Sequence, residues 1–469
     1  MLPLALVLLL VAVAYGGALK AGYISDDRDR IVESPLVTQL APLATYFAPF
    51  GPGAPSGPAG AYFRPVTALS HALERHYLGS DPFGPHLVNL AIHLVCVALA
   101  FCLARRAGAS PWASALAAGL FGVFPRSTEA VTWISARATL LSTASVLLAL
   151  LLYRPEEGRA GSRIAAALVL AVGFLCKEFA AVGAGAIVVL ELVEQRRRGG
   201  SVARMVSRLA PVVAVALVYV ALRPPLVELS YHFGLLPRAI ASVQALGYDA
   251  WMLATPFRAK MFIGMLGIVQ PAFLAAGTVV AFACLAGAWV VFRRPPSPLE
   301  TAAYAIAAGG IVVALPILPV GDIANTADRF LYPVVGGLAV GLAARSQALA
   351  PRWATRAAVL ALGLVLLFAL ATHRRNELWQ DELALATDTL ERTSPQLEPY
   401  AFPIHFWLSS IHRCSSRWEE AIAEQQRGIT ALARFAYVFP HYPGIDVQIQ
   451  VLELLKEGRV RPSEVCQYR

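Results

Sequence analysis

Charge is scarce in this chain. Only 15% of its 469 residues are Asp, Glu, Lys or Arg, and 57% are hydrophobic. A soluble domain carries about a quarter charged residues and about half apolar ones. Length alone would suggest two or three soluble domains, and this balance excludes them. Cysteine is also sparse, with six in all. None is spaced as CxxC or in a Cys/His pattern, so a zinc site of the usual kind is not indicated. Cys96, Cys102, Cys176 and Cys284 fall in apolar runs and read as small buried hydrophobes. Cys414 and Cys466 lie in polar sequence and are free to pair in an oxidising compartment. The chain has no nucleotide-binding glycine loop, no GxSxG and no HExxH, which argues against a soluble nucleotide-sugar enzyme, a serine hydrolase and a zincin. No basic residue precedes the apolar run Met1 to Ala18. It therefore reads as an uncleaved first span rather than a signal peptide.

The apolar residues are clustered. They form runs near the ~20 residues that a helix needs to cross the ~30 Å of bilayer hydrocarbon. The expected fold is an all-α polytopic membrane bundle of about eleven spans. The runs lie near 2–19, 86–104, 111–124, 133–153, 164–176, 179–194, 209–223, 271–292, 302–319, 330–344 and 355–372. Two regions are expected: a transmembrane domain over 1–372, with a long external loop at 20–85, and an external helical tail over 373–469. The net charge of +9 is mostly Arg in short loops between runs. That is the positive-inside bias, not a nucleic-acid surface. Arg105–Arg106, Arg154 to Arg163, Arg196 to Arg208, Arg293–Arg294 and Arg345 to Arg356 are then cytoplasmic. This threading puts the N-terminus inside and the C-terminus outside. Pro224 to Pro271 starts and ends outside, with an amphipathic stretch from Arg238 to Lys260.

The same threading collects polar residues at one face. Asp26 and Asp27 follow the first span, ahead of a Pro/Gly-rich stretch from Pro49 to Gly60. A carboxylate there suits a general base, and the plainer reading is a solvated acid run paired with Arg28 and Arg30. Glu129 and Arg137 are eight residues apart, just over two helical turns, and are expected to share one face. Arg137 is then either a phosphate ligand or the partner of Glu129. Lys177-Glu178 interrupts an apolar stretch. It is either a lysine for a lipid phosphate or a plain hairpin. Asp328-Arg329-Phe330-Leu331-Tyr332 opens a span. Arg329 is a second phosphate candidate, and Tyr332 is expected at the interface. Arg64 is either a tether or a phosphate ligand. His86 and His93 on the second span read as structural.

Taken in order, these blocks resemble the GT-C polyprenyl-phosphate-sugar glycosyltransferases. They are most similar to the transmembrane O-mannosyltransferases that carry tetratricopeptide repeats, and to their bacterial relatives. The residues that carry the resemblance begin with Tyr23-Ile24-Ser25-Asp26-Asp27 and Phe63-Arg64-Pro65. Asp81-Pro82-Phe83-Gly84-Pro85-His86-Leu87-Val88-Asn89 and Phe124-Pro125-Arg126-Ser127-Thr128-Glu129-Ala130-Val131 follow. Arg137, Lys177-Glu178 and Asp328 to Tyr332 complete the set. The sequence departs from the family pattern at three positions. Phe124 stands where the family has His, Ala136 where it has Gly, and Thr139 where it has an acid. The tail resembles one degenerate tetratricopeptide unit, with Trp418 to Ile429 as its second helix.

The resemblance implies a membrane glycosyltransferase. It would move mannose or a similar sugar from a polyprenyl-phosphate donor to a protein or glycan acceptor on the external or lumenal face. Asp26 or Asp27 would be the base, and Arg64, Arg137, Lys177 and Arg329 the candidates for the donor phosphate. Glu129 would orient one of these cations, with His86, Glu178, Asp328 and Tyr332 in support. No cofactor is demanded by the sequence, and no residue pattern supports a divalent metal. The expected partners are donor lipid, acceptor and bilayer. The expected location is a bacterial inner membrane with a periplasmic active face, which is equivalent in topology to an endoplasmic-reticulum lumen. Two other readings share the hydropathy: a lipid-linked sugar flippase, and an inactive scaffold that keeps the fold.

Overall fold

A computed structural model describes residues 1–48, 63–154, 160–199, 201–222, 234–261, 268–293, 296–315, 326–393, 400–438 and 445–459. Pro49 to Gly60 and Cys466 lie outside the described residues, as do parts of the 154–163 loop, of 224–271 and of the span expected at 302–319. Among the described residues the fold is all-α, with no strand.

Among the described residues the membrane part has thirteen helices of twelve or more residues. They are α1 Leu2–Ala14, α2 Pro65–Leu78, α3 Phe83–Arg106, α4 Pro111–Gly122, α5 Arg137–Leu152, α6 Ala160–Cys176 and α7 Ala181–Arg198, then α8 Val202–Leu222, α9 Leu235–Ala254, α10 Pro271–Arg293, α11 Pro298–Ala314, α12 Leu331–Arg345 and α13 Pro351–Leu378. The tail adds α14 Glu382–Glu391, α15 Phe402–Cys414, α16 Trp418–Val438 and α17 Ile445–Lys456. Local chemistry sets several ends. Ser110 caps α4 by accepting from the Ala113 amide, with Pro111 at the first position. Ser297 and Pro298 open α11 in the same way. Gly199, in the left-handed region at φ 64°, closes α7.

Several expectations are corrected. Six described helical segments are long and apolar enough to cross a membrane, with two shorter apolar helices besides, so a count of eleven full spans is not reached. Pieces such as α4, at 12 residues, are apolar but too short to cross alone. The stretch 20–85 is not all loop, because α2 occupies its end. The span expected near 133–153 is matched by the apolar segment Ile134–Leu152, in which the turn Ile134–Ala136 leads into α5. Cys102 and Cys284 are exposed rather than buried. They sit on outward helix faces that hydrocarbon, not protein, would cover. The same holds for the exposed Leu217, Phe282, Leu285 and Leu360, which water would penalise and a bilayer solvates. Cys414 is disulfide-bonded.

The core joins the spans through close contacts. A methyl on Gly277 of α10 would stand 1.7 Å from the Val243 carbonyl oxygen of α9, so only glycine permits that crossing, as is common between membrane helices. His93 of α3 bonds the Tyr332 hydroxyl of α12 at 2.7 Å and the Gly122 carbonyl of α4 at 2.9 Å. Three helices are thereby pinned around one buried ring. Helix α13 continues past His373 to Leu378 and leads directly into the tail.

Candidate functional site

The site begins at the turn after α1. Ser25 takes a positive φ of 51°, uncommon for a residue with a side chain. This turn separates the two acids that follow. Asp26 points outward, half-exposed, with one oxygen 2.9 Å from Arg30. Asp27 turns inward and is 1% exposed. Its carboxylate accepts from the Ile24 amide at 3.1 Å, and from the Ser135 amide and hydroxyl at 2.8 and 2.5 Å. Burial pushes the Asp27 carboxyl up from 3.8 to about 7, against the lowering effect of the Ser135 and Ile24 hydrogen bonds.

That shift has a sign. The folded protein holds a proton on Asp27 at pH values where the unfolded chain has released it. The stabilising contribution is full below about 4 and is lost as pH rises to about 7. Asp27→Asn keeps a neutral group at all pH values. Thermal unfolding from pH 4 to 8 is expected to show wild type losing stability relative to the variant across this window, by on the order of a few kcal/mol. A flat difference over the same range contradicts the assignment.

Behind the turn, Glu129 and Arg329 meet. The Arg329 guanidinium donates to Glu129 at 2.6 Å, and the Arg329 backbone amide donates to its other oxygen at 2.8 Å. Glu129 is buried and Arg329 nearly so. The Arg329 guanidinium lies 5.2 Å from the centre of the Trp133 ring and 4.9 Å from that of Phe330. The Trp133 indole in turn donates to the Ile24 carbonyl at 3.3 Å, beside the acidic turn.

Lys177 also lies near Phe330. Its ammonium lies 5.2 Å from the Phe330 ring centre and 4.6 Å from that of Phe179. It donates to the Thr139 hydroxyl at 2.8 Å. At the position where the family has an acid, Lys177 thus meets a neutral oxygen. Arg64 pairs with Glu178, the neighbour of Lys177, at 3.0 Å. The chain therefore brings Asp27, Glu129, Arg329, Lys177, Arg64 and Glu178 into one continuous set of contacts, joined by Trp133, Phe330 and Phe179.

Other expected residues are placed elsewhere. Glu129 and Arg137 do not share a helix face. Trp133 takes an extended conformation between the short helix Thr128–Thr132 and α5, so helical spacing does not apply across it. Arg137 is fully buried and pairs with Glu74 of α2 at 2.6 Å. It also donates to Asn89 at 2.7 Å and to the Pro85 carbonyl at 3.0 Å. It braces α2, α3 and α5 together and is sealed from a phosphate. Tyr332 is not an interfacial anchor. It is buried against His93 and Phe121, because its hydroxyl finds a partner inside. His86 is buried too. Asp328 turns away from the set and pairs with Arg126 at 2.5 Å. Its other oxygen accepts from the Lys260 amide at 3.1 Å. Glu74, Arg126 and Ser135 carry these contacts without having stood out in the sequence. Glu74 lay in a stretch that read as loop, and nothing gave a sign of Ser135.

A cavity of about 870 Å³ opens beside the turn. Tyr23 and Ile24 line one side, Ser80 and Asp81 another, and Trp379 and Glu382 of the tail a third. Glu382 accepts from the Ser25 amide at 3.3 Å and from Trp407 at 2.7 Å, and also pairs with Arg28. The tail is therefore bonded to the residues next to the acid pair. Among the described residues, no group of three or more His, Cys, Asp or Glu side chains is placed to hold a metal ion.

No family model matches the chain. Curated proteins do. Protein O-mannosyl-transferase Tmtc1 of Drosophila melanogaster is 37% identical over 175 residues, covering 36% of this chain and 20% of that protein. Protein O-mannosyl-transferase TMTC3 of Mus musculus is 28% identical over 438 residues, covering 82% of this chain and 47% of that protein. The chain is a sequence relative of the transmembrane protein O-mannosyl-transferases. It spans about half, or less, of the length of these relatives. Among solved structures, ArnT from Cupriavidus metallidurans bound to undecaprenyl phosphate superposes with a TM-score of 0.42 at 15% identity, over 98% of this chain and 77% of that one. The Archaeoglobus fulgidus oligosaccharyltransferase tethered with an acceptor peptide gives 0.42 at 12% identity, over 89% and 58%.

Proposed function

We propose that this chain is a membrane glycosyltransferase that moves mannose or a similar sugar from a polyprenyl-phosphate donor to a protein or other acceptor, at the end of the bundle that carries the acid turn. The observation that carries this reading is the single set of contacts that joins an acidic turn to Arg329, Lys177 and Arg64. Asp26, the acid that reaches solvent, is the base at the acceptor. Asp27 positions the turn. Arg329 and Lys177, both resting on Phe330, receive the lipid phosphate, and Glu129 fixes the Arg329 geometry. The phosphate is already a good leaving group. The protein then supplies a proton acceptor, placement and charge stabilisation. The relatives' names support mannose transfer to protein. The cavity beside the tail offers room for an acceptor of that size. The charged groups gather at one end of the bundle and not at mid-depth, which favours transfer at a surface over passage through the membrane.

The test follows release of polyprenyl phosphate. Wild type and Asp26→Ala/Asp27→Ala are purified in detergent and given a panel of polyprenyl-phosphate sugars with a peptide mixture. Release by wild type and not by the variant is expected. Absence of release from folded wild type with every donor would overturn the reading.

A further inference from the structure

A second cavity, of about 340 Å³, lies outside this set of contacts. Leu367 and Leu370 of α13 and Phe257 form an apolar wall, and Arg374, Arg375 and Arg392 stand at its rim. Phe257, Leu367 and Leu370 are exposed large hydrophobics, and α13 is one of the helices long and apolar enough to cross a membrane. The cavity is therefore apolar toward the bilayer and basic toward the aqueous end.

The charge is not balanced locally. Asp388 takes both Arg375, at 2.8 Å, and Arg392, at 2.7 Å. The Asp328 carboxylate also acts on Arg375, so the three guanidiniums of the rim outnumber the two carboxylates that act on Arg375 and Arg392. Arg374 is exposed, and the nearest acid in sequence, Glu377, lies 3.9 Å from His373. Helix α13 is 28 residues long, about 42 Å. It starts beside the Arg345 to Arg356 loop and ends at this rim. The cluster therefore lies at the end of the bundle opposite that basic loop. Snorkelling explains a single Arg at a span end. It does not explain three converging on one apolar cavity, two from α13 and one from the end of α14.

We propose that this cavity binds an anionic membrane lipid, with its phosphate on Arg374, Arg375 and Arg392 and the upper part of its chain along Leu367, Leu370 and Phe257. Planar guanidiniums match phosphate oxygens in pairs. Basic pockets against spans hold acidic headgroups in this way. The bound lipid ties α13 to α14 and to the loop before Lys260. The inference rests on α13 being a span and is independent of the transferase reading.

The test uses the full chain, delipidated in detergent and titrated with dioleoyl-phosphatidylglycerol or dioleoyl-phosphatidylcholine, with bound lipid counted by native mass spectrometry. One phosphatidylglycerol is expected to be retained in preference to phosphatidylcholine. Arg374→Glu/Arg392→Glu is expected to weaken it about tenfold, and Arg374→Lys to keep most of it. Because Arg374 is exposed, Arg374→Glu alone serves if the double variant does not fold. Equal retention of both lipids, or unchanged retention in the charge-reversed variants, overturns the proposal. Displacement by millimolar inorganic phosphate as effectively as by lipid also overturns it, because the chain would then play no part.

Discussion

Asp26→Ala is expected to lower the rate of polyprenyl-phosphate release by about a thousandfold while leaving the melting temperature within a degree or two of wild type. The two halves of this result come from one geometry. Asp26 is half-exposed and pairs with the half-exposed Arg30, a class of pair worth about 0–1 kcal/mol. Removing it costs the fold little. A proton acceptor aimed at a reacting hydroxyl contributes about 10²–10⁴ in rate. Asp27→Ala differs in kind. It strips the acceptor from the buried Ile24 amide and from the part-buried Ser135 amide and hydroxyl. Unsatisfied buried donors cost about 1–3 kcal/mol each, so this variant melts lower and loses activity with its turn. Asp26→Glu is expected to recover part of the rate, since the carboxylate remains and only its reach changes. If Asp26→Ala retains activity within a few-fold while Asp27→Ala abolishes it at intact melting temperature, the roles of the two acids are exchanged.

How far the sequence carried this site can be judged residue by residue. The apolar runs located the six segments long and apolar enough to cross a membrane, because a bilayer demands a run of apolar side chains wherever the backbone crosses. Their number was less legible. The runs did not tell a full span from a short apolar helix such as α4, which at 12 residues is too short to cross alone. The acid pair, Lys177-Glu178 and Arg329 were visible as charges interrupting apolar sequence, which is costly enough to be noticed. Pairing was harder to read. Helical spacing matched Glu129 with Arg137, but the extended Trp133 between them breaks the period. Glu129 instead reaches 200 residues along the chain to Arg329. Arg137 reaches back to Glu74, in a stretch that read as loop. Tyr332 stood at a helix start and suggested an interfacial anchor. Its partner His93 lies 239 residues away, a distance no local pattern spans. Local periodicity thus reports that a charge is buried, and only the packed bundle reports against what.

The Glu129–Arg329 contact yields the other large effect. Glu129→Ala leaves a nearly buried guanidinium without its carboxylate and the Arg329 amide without its acceptor. Breaking a buried ion pair from one side costs about 3–5 kcal/mol. Glu129→Ala is therefore expected to melt far below wild type. Adding Arg329→Ala removes the cation that Glu129 held, and the double variant is expected to regain much of the lost stability. Activity should not follow. If Arg329 meets the donor phosphate, the restored double variant remains inactive, since the cation itself is gone. The Trp133 and Phe330 faces that flank the guanidinium would still be in place, yet they offer no positive charge. A cycle of both single variants and the double, read by thermal unfolding and by polyprenyl-phosphate release, separates the two roles. Recovery of stability together with activity would make the pair a structural clasp and move the phosphate contact to Lys177 and Arg64. Recovery of stability alone would place Arg329 at the donor, with Glu129 acting through it.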